Sequence, residues 1–249
     1  MIGVGCKNKR HHIPLEKEYK YLSYSENILH TVVTPKNLTD KSGLMFSDQG
    51  AWFMYSFPDT DTHSGFSGPF LLTQQNGIWS SQMLVRLNIQ NVIWDKHKTT
   101  SFNSHLIQVY ANKKLELEQK LVYLSGHTAL IKSTIRNKSN TSINLSYNWQ
   151  CDGLLSNNLK LKNNNNELII HSSKSDAIGH ILFPNGTTIA SSDSTYTTKK
   201  NTIRLAPGAA KEIVISNTFI FPEYSWEQEK NKIKNIFFDA IFDLSLIHI

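Results

Sequence analysis

Hydrophobic and polar residues alternate through most of this chain, in short runs separated by turn-forming residues. The clearest run covers residues 115–123, where Leu115, Leu117, Gln119, Leu121 and Tyr123 alternate with Glu116, Glu118, Lys120 and Val122. A period of two marks a β-strand with one face against a core. Similar runs at 106–111, 128–136 and 143–150 are separated by Asn112-Lys113-Lys114, by Ser125-Gly126-His127 and by a polar stretch over 137–142. Connections this short demand antiparallel neighbours, so the four runs are expected to form one meander. Upstream lie a long aromatic-rich run at 44–57, a loop at 59–68 containing His63, and a short strand at 70–73. Next comes a strand at 80–89 with Met83, Val85, Leu87 and Ile89 on one face. Downstream, strands are expected at 167–171, 177–183, 187–191, 195–199, 202–205 and 211–221. Residues 163–166, Pro184-Asn185-Gly186 and Pro207-Gly208 supply the turns. Strands repeating about every 8–12 residues predict an all-β class, a large two-sheet antiparallel β-sandwich (super-sandwich) over residues 28–222.

The period changes at the end of the chain. Ser225 followed by Gln228 reads as a capping box, and Trp226, Ile233, Ile236, Phe237, Ala240 and Ile241 recur at helical spacing. A linker helix is therefore expected over 225–243, with an apolar face that needs a further surface to cover it. The last six residues, Leu244-Ser245-Leu246-Ile247-His248-Ile249, are what six consecutive codons of a transposase adapter encode. They are set aside from fold reasoning, and the natural chain is expected to run past residue 243.

The chain's 249 residues allow a sizeable core. No stretch approaches the roughly 18 apolar residues of a membrane helix. A net charge of +6 raises the question of nucleic acid, yet the lysines are scattered among asparagines and serines and form no block or basic helix. Nucleic acid is not expected as a partner. Two cysteines are too few for a disulfide framework or a metal knuckle, and Cys151 follows an apolar run as a packed thiol would. Cys6 differs. It follows Met1-Ile2-Gly3-Val4-Gly5 and precedes a polar, basic tether to about residue 25, expected to be disordered. This context resembles the end of a bacterial lipoprotein signal, which makes Cys6 a lipidation candidate. It would place the protein in the periplasm, on the outer membrane or outside the cell, touching membrane only through that anchor. The other reading is an unmodified N-terminus.

Candidate chemistry is sparse. His11-His12 is the one close histidine pair and lies in the tether, and no zinc or calcium spacing occurs, so no metal is expected. Neither a glycine-rich phosphate loop nor a nucleophile turn is present, and no cofactor is expected. Asp48, Asp59, Asp61, Asp95 and Asp152 are the carboxylates available for acid–base work. A glycosidase needs two of them flanking one bond, and Asp59 and Asp61 sit where aspartate commonly bonds its own backbone. No catalytic residue is assigned. The segment Phe46-Ser47-Asp48-Gln49-Gly50-Ala51-Trp52-Phe53 is more informative. Its glycine permits close backbone approach, and its two rings either stack on a sugar or alternate between the core and the surface of a sheet. Trp79, Trp94 and Trp149 read as core residues of strands.

With Gly65-Phe66-Ser67-Gly68-Pro69 and the following Phe70-Leu71-Leu72-Thr73, the Asp48–Trp52 segment resembles glycoside hydrolase family 63, nearest the YgjK-type bacterial α-glucosidases. Order and spacing agree over about thirty residues, and the strand-rich remainder ending in a helix agrees from about 28 to 243. Phe53 stands where the family often has histidine, and Ser67 replaces a proline. The resemblance implies a non-catalytic N-terminal β-sandwich that supports a separate (α/α)6 catalytic barrel and shapes its substrate entrance. That barrel, absent from this sequence, would hydrolyse glycosidic bonds of oligosaccharides with inversion. Trp52, Phe53 and Phe66 are then the residues expected to reach toward barrel or sugar. Two alternatives stand beside this one: a free-standing carbohydrate-binding module and a structural cell-surface sandwich.

Overall fold

The computed structural model describes residues 31–59, 64–73 and 76–235. The chain first forms β1 (Phe53–Ser56), β2 (Ser64–Gly65), β3 (Ser67–Thr73), β4 (Asn76–Trp79), β5 (Arg86–Ile89) and β6 (Lys96–Ser101). Four longer strands follow: β7 (His105–Ala111), β8 (Leu115–Ser125), β9 (Thr128–Asn137) and β10 (Ile143–Cys151). Then come β11 (Leu159–Asn164), β12 (Glu167–Ser172), β13 (Ile178–Leu182), β14 (Ile189–Ser191) and β15 (Tyr196–Thr198). β16 (Asn201–Leu205), β17 (Ala210–Ile220) and helix α1 (Trp226–Lys234) complete the described elements. One sheet has eight strands in the order β11-β12-β13-β17-β9-β8-β7-β6. A second runs β14-β15-β10-β5-β2, with β16 also paired to β10, and β1, β3 and β4 make a third, small sheet.

The predicted all-β sandwich is the observed architecture, and the alternation explains it. On β8, Leu115, Leu117, Gln119, Leu121 and Tyr123 are all buried. Leu145, Tyr147 and Trp149 of β10 in the second sheet belong to the same hydrophobic cluster. Each fully buried side chain of this size contributes about 1.5–3 kcal/mol. The middle of the large sheet is covered on both faces: every residue of β9 except Arg136 is buried.

One row of this core is polar. Gln108, Gln119 and Ser133 face one another in register across β7, β8 and β9. Gln119 Nε2 donates to Ser133 Oγ at 3.1 Å, and Gln108 Nε2 donates to Gln119 Oε1 at 3.0 Å. Tyr110 donates its hydroxyl to Gln108 Oε1 at 3.0 Å. Gln108 Nε2 also donates to the backbone carbonyl of Gly65 at 2.7 Å, so the row ties β2 onto the large sheet. Such a buried network is stable only because each member is satisfied by the next.

The structure departs from the predicted meander after three strands. β7, β8 and β9 are consecutive neighbours, but β9 takes β17 on its free side and β10 crosses to the second sheet. Asn137 explains the corner. Its side chain is fully buried, and its amide donates to the carbonyls of Thr141, Leu205 and Ala206 at 2.7, 3.0 and 3.1 Å. Its Oδ1 accepts from the N–H and hydroxyl of Ser139. The polar stretch that reads as a hairpin is thus a folded corner between sheets. Upstream, only Phe53–Ser56 of the 44–57 run is strand, because Asp48 to Ala51 form a turn. Within 80–89, only Arg86–Ile89 is strand: Met83, Leu84 and Val85 are all buried, and the backbone there bonds Gly68 instead. Trp79 and Trp149 lie in strands, whereas Trp94 is half-buried outside them. β4, β6 and β11 have no counterpart in the predicted strands; β6 is Lys-His-Lys-Thr-Thr-Ser and lacks an apolar face.

Candidate functional site

The turn carrying Trp52 has left-handed backbone at both central residues, with φ of 54° at Gln49 and 71° at Gly50. The Ala51 N–H closes it onto the Asp48 carbonyl at 3.0 Å. Two positive φ values define a turn suited to glycine and small polar residues. Phe46 and Tyr55 pair across its base, and the Tyr123 hydroxyl on β8 donates to the Phe53 carbonyl at 2.8 Å. The second motif is equally structural. Gly68 has φ of 108°, its N–H donates to the Gln82 carbonyl, and its carbonyl accepts from Leu84 N–H. The Gly68–Pro69 bond is cis. A Cβ on Gly65 would lie 2.8 Å from the Val85 carbonyl oxygen, so this backbone passes where only glycine fits. Both segments that carry the family resemblance therefore join the small sheet and β2 to the rest of the sandwich.

The three residues expected to meet sugar are separated by this geometry. Phe53 is fully buried, its ring centroid 4.9 Å from Phe219 and 5.3 Å from Tyr123. Phe66 is buried against Phe57 at 5.9 Å. Neither offers a ring face to a ligand, so both correct to core residues: Phe53 turns inward from β1, and Phe66 is buried at the junction between β2 and β3. Trp52 differs, being half-buried with its ring 4.8 Å from Phe221. Its indole N–H is shielded from solvent and has no hydrogen-bond partner among the described residues. Trp52 lines a cavity of about 170 Å³ between the small and large sheets, together with Leu71, Ile78, Leu159, Ile170 and Phe219. Four of the ten residues of the 59–68 loop, 60–63 with Asp61 and His63, lie outside the described residues, and Ser64–Gly65 and the start of Ser67–Thr73 are strand. Cys6, the tether, His11-His12 and residues 236–249 also lie outside them.

Asp152 is exposed and paired with Arg86 at 2.7 Å, and Asp59 and Asp95 are exposed as well. Among the described residues no three His, Cys, Asp or Glu side chains gather as a metal site would require. Cys151 is a packed thiol, with Sγ 3.3 Å from Ser81 Oγ, and burial pushes its pKa up. It is a poor nucleophile in that state.

Sequence pattern alone did not reveal the most charged buried site. Helix α1 docks on the large sheet through two buried carboxylates, Glu167 on β12 and Glu229 in the helix. Ser225 caps the helix by accepting the Gln228 N–H at 3.4 Å, which sets the first turn. Glu229 accepts from Ser125 at 3.3 Å, Thr128 at 3.2 Å and Lys232 at 2.5 Å. Glu167 meets His180 Nδ1 at 2.7 Å and Lys230 Nζ at 3.6 Å, and the His180 ring stacks on Trp226 at 4.3 Å and 9°. Burial alone would raise both carboxyls. The His180 bond and the charges of His180 and Lys230 outweigh it for Glu167, and Lys232, Thr128 and Ser125 outweigh it for Glu229, so both sit below 4.5. Depressed carboxyl pKa values mean that the docking energy is present above about pH 4.5 and is lost as pH falls through the folded-state values. Glu229→Gln removes one anion that faces Lys232 and two hydroxyl donors. It is expected to cost about 1–3 kcal/mol, concentrated in α1. Hydrogen exchange at residues 226–234 checks this: protection should drop there while β8 and β9 keep theirs.

This antiparallel sandwich resembles solved structures in its fold. It is similar to a protein described as a kojibiose phosphorylase from the human microbiome, with a TM-score of 0.55 at 8% identity over 80% of this chain. The chain spans about a third of that protein, 34% of its length. A galactose mutarotase-like protein from Lactobacillus casei matches with a TM-score of 0.51 at 8% identity, over 71% of this chain and 100% of the other. A galactose mutarotase-related enzyme from Lactobacillus acidophilus gives 0.50 at 7%, over 71% and 97%. At these identities the likeness is one of fold. No curated protein matches the sequence. The family is settled by sequence: residues 37–176, more than half the chain, match the N-terminal domain of glucosidase YgjK, and the chain belongs to that family.

Proposed function

We propose that this chain is the non-catalytic N-terminal sandwich of a glycoside hydrolase, and that it supports a separate (α/α)6 catalytic barrel and shapes the entrance to it. In this reading, hydrolysis of α-glucosides or related oligosaccharides belongs to the barrel. Membership of the YgjK N-terminal family over residues 37–176 carries the proposal. The docking of α1 supports it: buried Glu167 and Glu229 fix the direction in which the chain leaves the sheet. A following domain attached to such a helix is held at a set orientation. The placement of the two motif segments, as joints between sheets, fits a supporting role better than a sugar-stacking one.

The test is glucose release from p-nitrophenyl α-glucoside and from maltose by the purified chain, with calorimetric titration of maltose beside it. We expect the rate without enzyme and no heat of binding. Turnover that survives repurification and disappears in Asp152→Asn would assign catalysis to the chain itself. Saturable heats without turnover would instead make it a carbohydrate-binding module.

A further inference from the structure

The cavity beside Trp52 has a chemistry of its own. Its wall is made of Leu71 and Ile78 from the small sheet and of Leu159, Ile170 and Phe219 from the large one. A volume of about 170 Å³ is close to that of an apolar protein cavity, about 150 Å³, that accepts one benzene ring. Part of the lining is polar. Ser156, Ser172 and Ser175 each accept a backbone N–H two residues on, at 3.2, 3.1 and 3.2 Å, which leaves their O–H hydrogens to donate. Lys174 is the one charged residue of the lining, is exposed, and has no ion-pair partner among the described residues. No carboxylate lines the cavity; Asp176 and Glu223 line the adjoining hollow, which shares Ser172, Lys174 and Ser175 with it.

We propose that this cavity binds a monocyclic aryl carboxylate, with the ring between Trp52 and Ile170 and the carboxylate against Lys174 and the serine hydroxyls. The lining selects this class by elimination. A pyranose would bury several hydroxyls against an apolar wall, at a cost of about 1–3 kcal/mol for each one left unpaired. An aryl ammonium would meet Lys174 with like charge. A neutral aryl alcohol would fill the wall but gain no charge-assisted bond. An aryl carboxylate satisfies both ends. The site is independent of the glycosidase reading, since no sugar chemistry enters it.

The experiment titrates the full chain with benzoate, benzyl alcohol, benzylammonium and methyl α-glucoside, followed by saturation-transfer NMR and tryptophan fluorescence. Benzoate is expected to bind with a Kd on the order of 0.1–1 mM, within the range open to so small a ligand. Benzyl alcohol should bind about fivefold more weakly, and the other two should show no binding. Lys174→Gln should weaken benzoate about fivefold and leave benzyl alcohol unchanged. Ala177→Phe, which puts a ring into the cavity from its own wall, should abolish both. If Ala177→Phe does not fold, Lys174→Gln at its exposed position still decides the charge requirement. The proposal is overturned if benzoate does not bind, if methyl α-glucoside binds better, or if Lys174→Gln weakens benzoate and benzyl alcohol alike or neither.

Discussion

Gln108→Leu should lower the unfolding free energy of the domain by about 3–5 kcal/mol, far more than a change of similar volume in an apolar row. Leucine fills most of the space, so little of the loss comes from a void. The cost comes from the partners left behind in the core: the Gly65 carbonyl, Gln119 Oε1 and the Tyr110 hydroxyl all bond Gln108. Each buried group left unpaired costs about 1–3 kcal/mol, reduced where a hydroxyl can rotate or water can follow. Urea unfolding by tryptophan fluorescence, with an unchanged m-value, measures the loss. The double variant Gln108→Leu with Gln119→Leu should cost less than the sum of the single changes, because the two amides bond each other. A loss below about 1 kcal/mol in the single variant would mean that water enters the row and satisfies it.

The same row shows what the sequence displays and what it hides. Gln119 sits in the inward register of β8, among Leu115, Leu117, Leu121 and Tyr123, so alternation alone places it in the core. What alternation does not show is its partner, because Gln108 is a strand away and the pairing is set by register. The strands of β7, β8 and β9 were legible because their turns are short and their apolar faces regular. The crossing of β10 was not, because Asn137 acts through three carbonyls, two of which lie near residue 205. At the candidate site, the glycine of the Asp48–Trp52 segment reads as a place for close backbone approach, yet Gly50 has positive φ with open space around it, and the close contacts fall instead at Gly65 and Gly68 of the second motif. Phe53 and Phe66 are aromatic for packing, and composition does not separate a packing ring from a binding ring. Glu167 and Glu229 were illegible for a different reason: an isolated glutamate in a polar stretch looks solvated until a helix folds back on it.

Stability should fall as the medium is acidified from about pH 6.5, well before the carboxylates are protonated, and His105 is the cause. Its ring is fully buried, stacked on Phe102 at 4.3 Å, with Nδ1 2.9 Å from Ser104 Oγ. Burial first, and the nearby Lys120 charge second, depress its pKa from 6.5 to about 3. In the window between those values the unfolded chain holds a proton that the folded chain refuses. The stability His105 contributes is therefore complete above pH 6.5 and declines progressively down to about pH 3. The full difference is on the order of 3–5 kcal/mol, since each pKa unit is worth about 1.4 kcal/mol. His171, whose pKa burial also lowers, adds to the slope in the same sense from a half-buried position. Glu167 and Glu229 act only below about 4.5, so the interval from pH 6.5 to 5 isolates the histidines. His105→Leu removes the titrating ring and keeps the site apolar. Urea unfolding of both proteins at pH 7.5, 6 and 5 should give a declining series for the native sequence and a clearly shallower one for the variant, whose remaining slope comes from His171. Equal slopes in the two would move the acid sensitivity to another group and show that the His105 pocket admits a proton without opening.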